Sequence, residues 1–232
     1  MLVRSLFFYF LLYLWTIFLG IIFLPFLFLP NNYLKKPINF WIKGILLFLK
    51  QICSISYEFR NIENIPNEPV IIASKHQSAF ETLALFYYFK KSLFIHKKEL
   101  LYIPIFGLYL KKCNMIAINR KQGTSSMRKM LKEVKNKISN GYSIIIFPEG
   151  TRKKPNENTN YKSGITGIYN ECKCNVLPVA LNSGCFWQKG KITKNPGKII
   201  IKFLEVIPSG LEKSNFLKIL EKKIEKESAK IN

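Results

Sequence analysis

An α/β fold with a mostly parallel central sheet and helices on both faces, preceded by an N-terminal hydrophobic helical membrane anchor, is what this sequence predicts. Three observations lead there. From about Ser54 onward, short runs rich in Ile and Val alternate with stretches of helical periodicity, the pattern of strands joined by crossover helices. From Ser5 to Leu34 no side chain carries a charge. The one shift in composition falls near Lys50, separating an anchor over 1–50 from a domain over 51–232.

Most of Leu6 to Leu29 is Leu, Phe, Ile, Tyr or Trp, and about 20 such residues cross the hydrocarbon core of a bilayer. Pro25 and Pro30 bend or end the helix at its far side. The run is too long for a secretory signal and no small-residue cleavage site follows it. Ile38 to Lys50 is a second apolar stretch, with Trp41, Ile45 and Phe48 at helical spacing and Lys43 and Lys50 off that stripe. It suits an interfacial helix or a re-entrant partner of the first, and both readings stand. Arg4 on one side and Lys35-Lys36 on the other leave the orientation open.

Beyond the anchor, Val70 to Ala73, Leu93 to Ile95, Met115 to Ile118, Ser143 to Phe147, Val176 to Leu181 and Lys198 to Val206 are predicted strands. Phe80 to Lys90, Glu99 to Lys111, Ser125 to Asn140 and Ser163 to Glu171 are predicted helices, with an amphipathic, charged helix over Leu211 to Lys230.

The chain of 232 residues has 36 Lys and Arg against 14 Asp and Glu, a formal charge of +22. That balance favours acidic partners such as anionic headgroups or an acidic carrier protein. Nucleic acid is not expected, since no zinc finger, aromatic RNA-binding signature or basic heptad region is present. Five scattered cysteines suit reduced thiols facing a cytosol, and Cys172-Lys-Cys174 is too close-set for a zinc knuckle, so no metal is expected.

Two segments carry the chemistry. His76 follows the apolar run Val70-Ile71-Ile72-Ala73 and so lies past the carboxyl end of a strand, where open α/β sheets place ligands. Glu81 is five residues later, and the two side chains meet only if His76 is in the loop and Glu81 in the first helical turn. Ser78-Ala79-Phe80-Glu81 has the form of a capping box with Ser78 as N-cap. Glu81 could therefore hold the imidazole or only cap the helix, and the sequence does not choose. If it holds the ring, it fixes the tautomer and leaves the other nitrogen to take a proton from an alcohol. Ser78 lacks the elbow of a serine nucleophile.

Phe147-Pro148-Glu149-Gly150-Thr151-Arg152 ends another apolar strand. Gly150 permits close backbone approach to an anion, and Arg152 can grip phosphate with two parallel hydrogen bonds. Arg120 ends a third strand and can converge from the side.

With these residues in view, the chain resembles the 1-acylglycerol-3-phosphate acyltransferases, within the glycerolipid acyltransferase superfamily. Four blocks carry the resemblance in order: His76-x4-Glu81, Ile103-Pro104-Ile105-Phe106-Gly107 through Arg120, Phe147 to Arg152, and Val176-Leu177-Pro178-Val179. Together they are specific, although each alone is weak. The resemblance implies transfer of a fatty acyl group from a thioester to the sn-2 hydroxyl of lysophosphatidic acid, giving phosphatidic acid, with no cofactor. It implies His76 as general base with Glu81 orienting it, and Arg120, Glu149, Gly150, Thr151 and Arg152 at the acceptor. Lys97 matches a commonly basic position suited to an oxyanion, although Lys98 is equally available. The implied donor is acyl-acyl carrier protein or acyl-coenzyme A. The implied location is membrane-bound, at the inner (cytoplasmic) membrane with the catalytic domain facing the cytosol. The chain departs from the family in one place, Glu81, where aspartate is usual. Another lysolipid acceptor, such as lyso-ornithine lipid, and a non-catalytic lipid-binding protein are the rival readings.

Overall fold

The computed structural model describes residues 1–157 and 159–231. Among these, β1 (Ile55–Arg60), β2 (Ile71–Ser74), β3 (Ser92–Lys97), β4 (Ile116–Ile118), β5 (Ser143–Ile146), β6 (Val176–Leu181) and β7 (Gly197–Phe203) form one sheet in the order β1-β7-β6-β2-β5-β3-β4. Every neighbouring pair is parallel except β6 with β7. The carboxyl ends of β6, β2, β5, β3 and β4 therefore share one edge.

The helices are α1 (Leu2–Ile22), α2 (Lys35–Cys53), α3 (Phe80–Tyr88), α4 (Phe106–Lys112), α5 (Gly123–Ser139), α6 (Gly164–Cys172), α7 (Ser183–Phe186) and α8 (Lys213–Ile231). α2 and α3 cover one face of the sheet, where Ile72, Ile145 and Leu177 point. α5, α6 and α8 cover the other, where Ile71, Ala73, Ile144 and Val176 point. β2 and β6 are buried along their whole length because helices screen both faces. Each such Ile, Leu or Val contributes about 1.5–3 kcal/mol by leaving water.

Two departures from the sequence reading have local causes. β1 was not predicted, yet Ile55, Tyr57 and Phe59 alternate with Ser56, Glu58 and Arg60 as a half-covered strand does. The predicted helix over Glu99 to Lys111 is instead a 3-10 turn, Lys98–Tyr102, followed by α4. Pro104 disfavours helical backbone before it, Ile105 takes φ +63°, and a side chain at Gly107 would lie 2.1 Å from the Leu101 carbonyl oxygen.

α1 is long and apolar enough to cross a bilayer, but it is fastened to the rest of the protein at both ends. Near its start, Ser5 Oγ accepts the Lys194 backbone N–H at 2.8 Å, and Phe8 is fully buried against Trp187. Near its end, the Tyr109 hydroxyl donates to the Gly20 carbonyl at 3.0 Å. Between them Trp15 Nε1 donates to the Trp41 carbonyl, and Trp41 Nε1 to Thr16 Oγ1, each at 3.0 Å. Gly44 makes that pairing possible, since a methyl there would meet the Trp15 indole at 2.4 Å. The other face of α1 exposes Phe7, Phe10, Leu14, Ile17, Phe18 and Ile21. The composition shift near Lys50 falls within α2, whose Ile45, Leu46 and Leu49 join the core under α3.

Candidate active site

His76 leaves the end of β2 in a loop, and α3 begins at Phe80. This is the arrangement that lets a residue and its fifth neighbour meet. His76 Nδ1 lies 2.8 Å from Glu81 Oε1. The same oxygen accepts the backbone N–H of Gln77 and of Ser78, each at 2.7 Å. Glu81 Oε2 accepts the hydroxyls of Ser78 at 3.1 Å and Ser183 at 2.7 Å. Capping and ring orientation are thus done by one carboxylate. The helix starts one residue later than the capping-box reading, with Ala79 as N-cap, while Ser78 Oγ accepts the Phe80 N–H at 2.8 Å. Ser78 is buried and committed on both sides, which removes it as a nucleophile.

Glu81 is fully buried. Burial alone would raise its carboxyl, but the bond and charge of His76, the Ser78 amide and the Ser183 hydroxyl outweigh it and hold the group below its ordinary value. A carboxylate facing Nδ1 places the proton there and the lone pair on Nε2. Nε2 takes no hydrogen bond among the described residues. The ring lies flat on Phe147, with centroids 3.9 Å apart and planes 14° from parallel, which fixes its tilt.

Glu149 is buried beside this loop, and its Oε1 accepts the His76 backbone N–H at 2.9 Å. Burial pushes its carboxyl up to about 7, against the charge of Lys75 and the His76 amide, which lower it. Gly150 follows at φ +69°, a left-handed conformation that favours glycine. Arg120, at the end of β4, crosses to it: Nη1 donates to the Gly150 carbonyl at 2.7 Å. Both Arg120 and Arg152 are exposed. Lys189 Nζ reaches Thr151 Oγ1 at 3.3 Å and the Arg152 carbonyl at 3.4 Å.

The structure therefore gathers His76, Glu81, Glu149, Gly150 and Arg120 at one sheet edge, with Thr151 and Arg152 adjoining. Lys97 stands exposed at the end of β3, paired in register with Ile118 two residues before Arg120, and no bond among the described residues joins it to the others. Sequence reasoning missed Ser183, Phe147 as the ring's platform, Lys189, and the Lys75–Glu225 pair. Ser183 had a signal, since it follows the carboxyl end of β6 on the same edge.

A family model described as Acyltransferase matches residues 56–182, more than half of the chain. The chain belongs to the Acyltransferase family. The family match takes in both chemistry-bearing segments. The chain is similar to a 1-acyl-sn-glycerol-3-phosphate acyltransferase of Pseudomonas aeruginosa, 36% identical over 159 residues, covering 68% of this chain and 62% of the relative. A Chlamydomonas reinhardtii protein of the same description is 28% identical, covering 63% of this chain and 45% of the relative. The matched stretch is thus less than two thirds of these relatives' length. Among solved structures, the chain is similar to the 1-acyl-sn-glycerophosphate (LPA) acyltransferase PlsC from Thermotoga maritima, with a TM-score of 0.79 and 25% identity over 99% of this chain and 95% of that one. Because the match covers 99% of this chain, it takes in α1 and α2 as well as the sheet.

Proposed function

We propose that the protein transfers a fatty acyl group from an acyl thioester to the sn-2 hydroxyl of lysophosphatidic acid, forming phosphatidic acid. The observation that carries this reading is the His76–Glu81 contact of 2.8 Å, which leaves Nε2 open at the same sheet edge as an arginine anchored on Gly150. His76 Nε2 takes the hydroxyl proton as the oxygen attacks the thioester carbonyl. The C–S bond then breaks, and the departing thiolate takes the proton back from the imidazolium. Glu81 keeps the ring oriented and stabilises its charge between the two steps. Arg120 and Arg152 hold the acceptor's phosphate, and Lys97 faces the carbonyl oxyanion. Its similarity to 1-acyl-sn-glycerol-3-phosphate acyltransferases supports the acceptor. The donor is acyl-acyl carrier protein or acyl-coenzyme A, both acidic and suited to a chain of formal charge +22.

Residues 1–50 serve as the anchor and 51–232 as the acyltransferase domain. Because α1 is tied down at both ends, its exposed Phe, Leu and Ile face lies along the bilayer while its other face stays on the protein. The location is the cytosolic side of the inner membrane, where the thioester donors are soluble. Turnover of acyl thioester with lysophosphatidic acid, run beside His76→Ala and a phosphate-free acceptor, tests the reading. His76-dependent transfer restricted to the phosphate-bearing acceptor is expected. Equal reaction of both acceptors would remove the arginine clamp from the account, and absence of turnover would leave a lipid-binding protein.

A further inference from the structure

Lys75 immediately precedes His76, and its side chain is only 2% exposed. Its ammonium meets two carboxylates. Glu225 of α8 is 2.7 Å away at Oε1 and 2.5 Å at Oε2, and Glu149 is 3.8 Å away at Oε1. Glu225 Oε1 also accepts the hydroxyls of Thr159 and Tyr161, each at 3.0 Å. One carboxylate from the C-terminal helix thus grips both the segment that carries the base and the segment leaving the arginine block. α8 does not need it in order to dock, because Phe216, Leu220 and Ile224 are already fully buried. Nor does packing alone aim Lys75. A polar cavity of about 420 Å³, lined in part by Lys75, Gln77 and Glu225, adjoins the pair. Charge sets the direction of the lysine. Buried ion pairs of this kind fix geometry more than they add net stability.

We propose that Glu225 is a positioning residue for acyl transfer: by drawing Lys75 away from Glu149 it leaves Glu149 Oε1 to the His76 amide and so sets the backbone of the base. The inference rests on the acyl-transfer reading above. With Glu225 neutral, Lys75 turns fully to Glu149, whose oxygen is pulled off the His76 N–H. The groups facing Glu149 are Lys75 at the end of β2, the His76 amide, Glu81 of α3, Glu225 of α8 and the Tyr161 phenol. Of these, Lys75 lowers its proton affinity and Glu225 raises it. Neutralising Glu225 therefore lowers it.

The test compares Glu225→Gln, Glu225→Asp and the double variant Lys75→Met/Glu225→Met with the parent chain and His76→Ala, recording kinetics, thermal unfolding, the Glu149 carboxyl titration and the His76 backbone amide resonance. Glu225→Gln is expected to lose about tenfold or more in kcat, as misplacement of a base by a fraction of an ångström does, with KM for the thioester unchanged. Its Glu149 carboxyl should titrate at lower pH than in the parent, and its His76 amide resonance should shift. Glu225→Asp should recover most of the rate. The double variant, which leaves no buried unpaired charge, should fold and remain slow. A folded Glu225→Gln protein with normal kcat and an unmoved Glu149 titration overturns the proposal, as does a fully active double variant or a rate loss that only follows a lower melting temperature. If the parent shows no His76-dependent turnover, the acyl-transfer reading fails, and an unmoved His76 amide resonance then overturns the positioning role by itself.

Discussion

The half of the site that holds the base and the half that faces the anion are built to different standards. Glu81 is fully buried, and each of its oxygens is filled by donors from the loop, the helix start and Ser183. Arg120 and Arg152 are exposed, with Arg120 held through a single carbonyl. On the proposed reading, the fold completes the proton-transfer geometry before substrate arrives, while the anion itself draws the arginines together. Errors in the first half should appear in kcat and errors in the second in KM for the acceptor.

The largest break comes from His76→Ala. It should lower kcat by about 10²–10⁴-fold, the usual share of a positioned general base, while circular dichroism stays native, because the ring's own packing partner is Phe147. Next is Glu81→Gln, which turns an amide nitrogen toward donors whichever way it is placed. A loss of about 100-fold in kcat and a lower melting temperature are expected, whereas Glu81→Asp should keep a reduced rate. Equal activity in Glu81→Gln would end the orienting role. On the other side of the comparison, Arg120→Ala should raise KM for lysophosphatidic acid about tenfold with kcat kept. Arg120→Lys should not restore it, since a point charge lacks the two-pronged geometry.

The remaining effect is one of pH. Glu149 holds its proton up to about 7 in the folded protein, against an ordinary value of 4.5. Between those pH values the unfolded chain has released the proton and the folded one has not, so this group's contribution to stability falls as pH rises. Denaturant melts should show the parent losing up to about 3 kcal/mol relative to Glu149→Gln across that window. A flat difference would mean that Glu149 is ionised throughout.

The sheet was legible because strands covered on both faces must be apolar, and Ile71-Ile72-Ala73 and Val176 to Leu181 have few other uses. The same logic missed β1, which is half covered and reads as a mixed segment. It also carried a helix across Pro104, where a local steric conflict overrides periodicity. His76 and Arg120 were legible because each follows a strand at the shared edge, and Glu81 because its spacing from His76 fits a loop followed by a first helical turn. Their mutual distances were not, because contact over five residues depends on where a helix begins. Glu225 left no trace in the sequence. It is one of three acids on a lysine-rich helix, and only the three-dimensional path of α8 brings it to Lys75.

The double duty of Glu81 has a thermal consequence. The carboxylate that closes the first turn of α3 is the same one that aims the imidazole, so fraying of that turn and disarming of the base are one event. Loss of catalytic competence on heating should then follow this local opening, ahead of the cooperative collapse of the sheet.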